Sequence, residues 1–167
     1  MNVKAEKYNK FLKEKSINFF NIEDREKDEM HPVVYRSFME INGQNLPVWI
    51  VIDDSIYMMI HVRLGSKLLK DGNRVALLDY FNSMNAHYKV FKYYADGDGD
   101  VLLESCISVG PVDSFEPEII HVVLDVIVKH LTKEFATLMK LVWADYGTAT
   151  TTAFSAAPTT GSSGYSF

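Results

Sequence analysis

A chain of 167 residues with 47% hydrophobic and 23% charged residues has the composition of a single globular domain and excludes a disordered protein. Its net charge of −5, with basic residues dispersed along the chain, argues against both a nucleic acid and a membrane surface as partners. One cysteine, Cys106, excludes an internal disulfide. The charged N-terminal stretch and the absence of any apolar run near the ~18 residues of a membrane helix make a cytoplasmic protein the expectation.

Ala5, Tyr8, Phe11 and Leu12 recur at helical spacing among Lys and Glu and predict a first helix over 4–15 with one narrow buried stripe. Ile17 to Phe20 predicts a short strand, and the charged run Glu23 to Glu29 predicts a solvated loop ended by Pro32. From Val33 the period changes to two, which predicts strands at 33–41, 46–53 and 56–63. Asn42-Gly43 and Asp53-Asp54-Ser55 supply the tight turns of an antiparallel meander.

Gly65 closes the third strand, and Asp71 or Asn73 is placed to cap a helix with apolar positions at Val75, Leu78, Phe81 and Met84 and with Leu77 alongside, ending near His87. Residues 88–95 and 101–107 flank Asp96-Gly97-Asp98-Gly99-Asp100 and predict a second hairpin. Ser114 to Trp143 predicts a long helix whose polar stripe, Glu118, His121, Asp125, Lys129 and Lys133, faces water, with Asp125 and Lys129 spaced for an ion pair. The expected fold is α+β, an antiparallel sheet of about five strands in the order α-β-β-β(-β)-α-β-β-α, occupying 1–146. The segment 147–167 has no charged residue and too little apolar content to offset its conformational entropy, so it is expected to stand outside the core.

Motifs for chemistry are sparse. The alternating carboxylates at 96–100 begin like a calcium loop, but Val101 and Ile107 stand where that loop needs its glycine and its bidentate glutamate. A solvated hairpin turn is the favoured reading, with a weak cation site using Asp96, Asp98 and Asp100 as a lesser one. The five histidines share no metal-binding spacing. His121 with Asp125 is expected to be part of a solvated stripe, His130 a satisfied histidine on the apolar face, and Cys106 a small packed side chain. No catalytic residue, metal or cofactor is expected.

The central strands are apolar on both sides, whereas a sheet with one wet face alternates apolar with polar. If the helices cover one face, Val34, Phe38, Trp49, Val51, Tyr57 and Met59 project from the other as a partner-binding patch. If the helices divide between the faces, or the long last helix and the tail lie across the second one, both faces are core. The sequence leaves both arrangements open.

Leu77-Leu78-Asp79-Tyr80-Phe81-Asn82-Ser83-Met84-Asn85, then Tyr88-Lys89-Val90-Phe91-Lys92-Tyr93 and the Asp-Gly turn into Val101-Leu102-Leu103-Glu104, resemble the YbjN-domain family of bacterial sensory transduction regulators over about residues 4 to 143. The resemblance implies a type III secretion chaperone-like fold, a homodimer, and a non-enzymatic domain that binds segments of other proteins. The alternative it leaves is a sensory domain holding a small molecule between helices and sheet near Tyr93, His61 or Cys106. Asparagine is a poor helix-interior residue unless its amide is bonded, so Asn82 and Asn85 are expected to tie helix to strand backbone.

Overall fold

The computed structural model describes residues 1–110 and 114–144; the uncharged tail at 147–167 lies outside the described residues. Along them run α1 (Val3–Glu14), β1 (Asn21–Asp24), β2 (Val33–Ile41), β3 (Gln44–Ile52), β4 (Tyr57–Gly65), a 3-10 turn at Asp71–Asn73, α2 (Arg74–His87), β5 (Lys92–Ala95), β6 (Val101–Ser108) and α3 (Glu118–Trp143). The strands form one antiparallel sheet in the order β1-β2-β3-β4-β6-β5. The fold is the expected α+β, with six strands among the described residues in place of about five.

Turn chemistry sets the register of the meander. Asn42 and Gly43 both take positive φ, 50° and 79°, as a tight hairpin between right-twisted strands requires. The Asn42 amide then donates to the Thr132 carbonyl on α3 at 3.1 Å, which anchors the turn to the long helix. At the next turn the Asp53 carboxylate accepts the Ser55 N–H at 2.9 Å. Gly99 has φ 82°, and a Cβ there would stand 2.7 Å from the Leu69 carbonyl, so the second hairpin can approach the β4–α2 connection only because this residue is glycine.

The strand expected over Ile17 to Phe20 forms four residues later, at Asn21–Asp24, inside the stretch expected to be a charged loop. The chain leaving α1 is still occupied with ending the helix: Ser16 has φ 56°, and the Ile17 N–H donates to the Leu12 carbonyl at 2.8 Å. Phe19 then offers its carbonyl to the Ser37 hydroxyl at 3.1 Å. Pairing with β2 begins at Asn21 opposite Arg36, so the edge of β2 holds as a strand a polar segment that its own composition would not make one.

Two expectations about α2 are corrected. Neither Asp71 nor Asn73 caps it through a side chain. Asn73 is buried, its Oδ1 accepting the Lys70 N–H at 2.8 Å and its amide donating to the carbonyls of Leu68 and Val142. The buried stripe is also displaced: Leu77 and Phe81 are buried one turn apart, while Val75 and Leu78 are 74% and 40% exposed. This helix is apolar on several sides, so the position of β5 beside it, and not its own periodicity, selects the face that packs.

The three helices of the described residues lie on one face of the sheet. Tyr8 of α1 packs against Tyr35 of β2 with ring centroids 4.8 Å apart, Phe81 of α2 stacks on Tyr93 of β5 at 5.7 Å, and His130 of α3 meets the Tyr93 hydroxyl at 2.7 Å. Alternation places Tyr35, Ile50, Ile60 and Leu103 on this inner face, and they share one core with Ile120, Ile127, Leu131 and Leu138 of α3. His121 is corrected from a solvated position: it is half-buried between α3 and α1, 3.2 Å from the Tyr8 hydroxyl and 5.2 Å from the Phe11 ring. The Asp125–Lys129 pair forms as expected at 2.6 Å.

The Asn85 amide behaves as expected of a bonded helix asparagine. It donates to the Tyr93 carbonyl at 3.0 Å and its oxygen accepts the Tyr93 N–H at 2.7 Å, which closes part of the outer edge of β5 with a side chain. Asn82 is exposed and does not share this role.

A candidate interaction face

The other face of the sheet carries no helix among the described residues, and register assigns its side chains. One row crosses all six strands as Asn21, Arg36, Trp49, His61, Glu104 and Lys92. A second runs Glu23, Val34, Val51, Met59 and Cys106. A third holds Phe38 and Pro47 on β2 and β3, and Arg63, Leu102 and Tyr94 on β4, β6 and β5.

All six residues expected in the patch fall on this face. Phe38 is 68% and Tyr57 47% exposed, Trp49, Val51 and Met59 are half-buried, and Val34 is buried although it stands apart from the core on the inner side. The sequence reading missed the polar row that divides them. Trp49 stacks on His61 with centroids 5.1 Å apart and planes 14° from parallel, and the Arg63 guanidinium lies 5.8 Å from the Trp49 ring. His61 Nδ1 is 3.0 Å from a Glu104 carboxylate oxygen, which also accepts the Tyr94 hydroxyl at 3.2 Å. Burial, with Trp49 stacked on the ring, holds the His61 pKa below its usual value, and Glu104 opposes that shift. Tyr94 is pushed up to about 12, first by burial and then by Glu104. Placing the strand at 101–107 in register with 56–63 is what brings Glu104 to His61, and no local signal in either segment contains that pairing.

Cys106 is corrected as well: it is exposed on this face and not packed in the interior. The side chains grouped as a possible small-molecule site do not converge. Tyr93 is on the inner face, 3% exposed and bonded to His130, while His61 and Cys106 are on the opposite face. The largest cleft among those described, about 460 Å³, is lined instead by the charged residues Glu23 to Asp28.

Two of the carboxylates at 96–100 are occupied with other parts of the chain. Asp96 Oδ1 accepts the N–H groups of Asp98 and Asp100, and the Asp100 carboxylate accepts the Lys67 N–H at 2.9 Å and the Ser66 hydroxyl. Among the described residues no three acidic, His or Cys side chains are grouped to hold a metal ion. No described helix is long and apolar enough to cross a membrane. His130 is buried on the apolar face and only half satisfied: its Nε2 meets the Tyr93 hydroxyl while its Nδ1 has no hydrogen-bond partner, and burial lowers its pKa.

No family model matches the chain, and no curated protein does. Any functional reading therefore stands on the face itself and on the resemblance in sequence pattern.

Proposed function

We propose that this chain is a non-enzymatic protein-interaction domain, regulatory or chaperone-like in the manner of the YbjN-domain family it resembles, and that it docks a protein through the outer face of its sheet. The observation that carries the reading is the one-sidedness of the fold. Three helices share the inner face, while Phe38, Trp49, Val51, Tyr57 and Met59 line up on the other with none of the described elements above them. Contiguous apolar groups of this extent on a folded surface mark sites of association. The polar row beneath them suits docking, since Glu104 accepts the Tyr94 hydroxyl and lies against His61 across the sheet.

Affinity capture with the full chain tests this, using Trp49→Asp as the control and circular dichroism to show that the variant is folded. A protein retained by the native chain and lost with the folded variant is the expected result. Partners retained equally by both would place the binding surface elsewhere.

A further inference from the structure

Three side chains with soft or borderline donor atoms fall side by side on β4 and β6. Met59 stands directly opposite Cys106, and His61 is the next outward residue along β4. Opposed residues on neighbouring strands have Cβ atoms ~5 Å apart, and residues two apart along one strand are separated by ~6.6 Å. A thioether, a thiol and an imidazole are thus carried over one small patch of sheet. We propose that Met59, His61 and Cys106 bind one soft monovalent metal ion, copper(I), on the outer face. Such a site holds its ion whether or not a protein docks there.

Each donor is available. Cys106 is exposed, Met59 is half-buried, and His61 Nε2 makes no hydrogen bond with any described residue. The other ring nitrogen, Nδ1, lies 3.0 Å from the Glu104 carboxylate. A carboxylate beside one imidazole nitrogen is the outer-shell arrangement that orients the ring and leaves the second nitrogen for a metal. Trp49, stacked on His61, restricts the ring further. The donor set selects the ion. Thiolate and thioether sulfur favour copper(I), whereas calcium and magnesium take oxygen ligands. Zinc takes four ligands, most often Cys, His and carboxylate, and no three side chains of those types are grouped among the described residues. Only the thioether of Met59 completes a set of three here. Val51 and Tyr57 flank Met59 and give the sulfur atoms an apolar surround. As the bond from Sγ to copper forms, the Cys106 thiol proton leaves to solvent and the oxidation state of the metal is unchanged.

Anaerobic titration of the full chain with copper(I) held by a competing chelator, bicinchoninate, provides the test. The native chain is expected to take up one ion. Cys106→Ser is expected to weaken binding about a hundredfold or more, and Met59→Leu and His61→Gln about tenfold each. Met30→Leu, at an exposed methionine outside the sheet, is expected to change nothing. Circular dichroism reports whether each variant is folded. In the native chain, silver(I) serves as a redox-inert stand-in and is expected to move the Met59 methyl and His61 ring signals in nuclear magnetic resonance spectra, which reads the site without any substitution. A chain that cannot take copper(I) from the chelator overturns the inference. So does an affinity that falls with C106S but ignores both M59L and H61Q, which is the behaviour of an isolated thiol, and so does silver binding that leaves the Met59 and His61 signals in place. Displacement of copper(I) by an equal concentration of zinc(II) overturns the assignment of the ion. Metal uptake is read with no protein partner present, so its failure leaves the docking face standing.

Discussion

The two faces of this sheet are made by the same strands, yet they are built differently. On the inner face Ile50, Ile52, Ile60, Val62 and Leu103 are close to fully buried beneath three helices, with no charged side chain among them. On the outer face Trp49, Val51 and Met59 are interleaved with Arg36, His61, Arg63 and Glu104. A core excludes unpaired charge because desolvating it costs more than packing returns. A surface that must also exist without its partner keeps charges to stay soluble and to orient association. The polar row, more than the apolar residues around it, distinguishes the outer face from a second core.

The largest expected effect of breaking this contrast is on the inner side. Ile60→Ala removes a fully buried side chain from the centre of β4 and is expected to cost about 2–5 kcal/mol, read as a lower urea midpoint with an unchanged slope. Met59→Ala, one residue away on the other face, is expected to cost markedly less in the monomer. Equal losses at the two positions would mean that both faces are packed within one chain.

Next in size is the closure of the β5 edge. Asn85→Ala opens both the N–H and the carbonyl of Tyr93 and is expected to cost about 1–3 kcal/mol, with faster hydrogen exchange at the Tyr93 amide. Unchanged exchange there would show that the edge is protected by something other than this side chain.

How far these features were legible in the sequence follows the same division. The strands from Val33 to Gly65 and their turns were readable because alternation and Asn42-Gly43 act over a few residues. Asn85 was readable because an asparagine inside a helix needs a reason to be there. β1 was not, since Asn21–Asp24 is a strand through its pairing with β2 and not through its own composition. The buried side of α2 and the exposure of Cys106 depend on parity and placement, which a helix apolar on several sides and a strand carrying adjacent Leu102 and Leu103 do not encode. Lys4 gave no signal at all. It is buried, and its ammonium donates to the carbonyls of Ser55 and Tyr57, fastening α1 across the start of β4. The six patch residues were correctly assigned to one face, but the charges between them emerged only from the pairing of β4 with β6.

The buried histidines make the inner layer pH-sensitive in a defined direction. His130 and His121 have pKa values lowered from the usual 6.5, chiefly by burial, and His61 on the outer face is lowered in the same way. Between the folded and unfolded values the unfolded chain binds more protons, so stability is full above about pH 6.5 and is lost as pH falls through the lowered values. Urea midpoints should therefore decline on acidification from neutral pH. His130→Gln retains a side chain able to bond the Tyr93 hydroxyl without titrating, and should flatten part of that decline. A decline of the same slope in this variant would assign the sensitivity to the other histidines.

The smallest expected change in stability is also the sharpest probe of the outer face. Phe38 is 68% exposed at one corner of the sheet, and Phe38→Ser is expected to alter the unfolding free energy of the monomer by no more than about 0.5 kcal/mol. On that face it should still matter, because the ring is the largest exposed apolar group on β2. Weaker association at unchanged monomer stability is thus the signature of a residue retained for docking. A loss approaching that of Ile60→Ala would instead show the ring covered within its own chain, and the contrast between the two faces would then be one of degree.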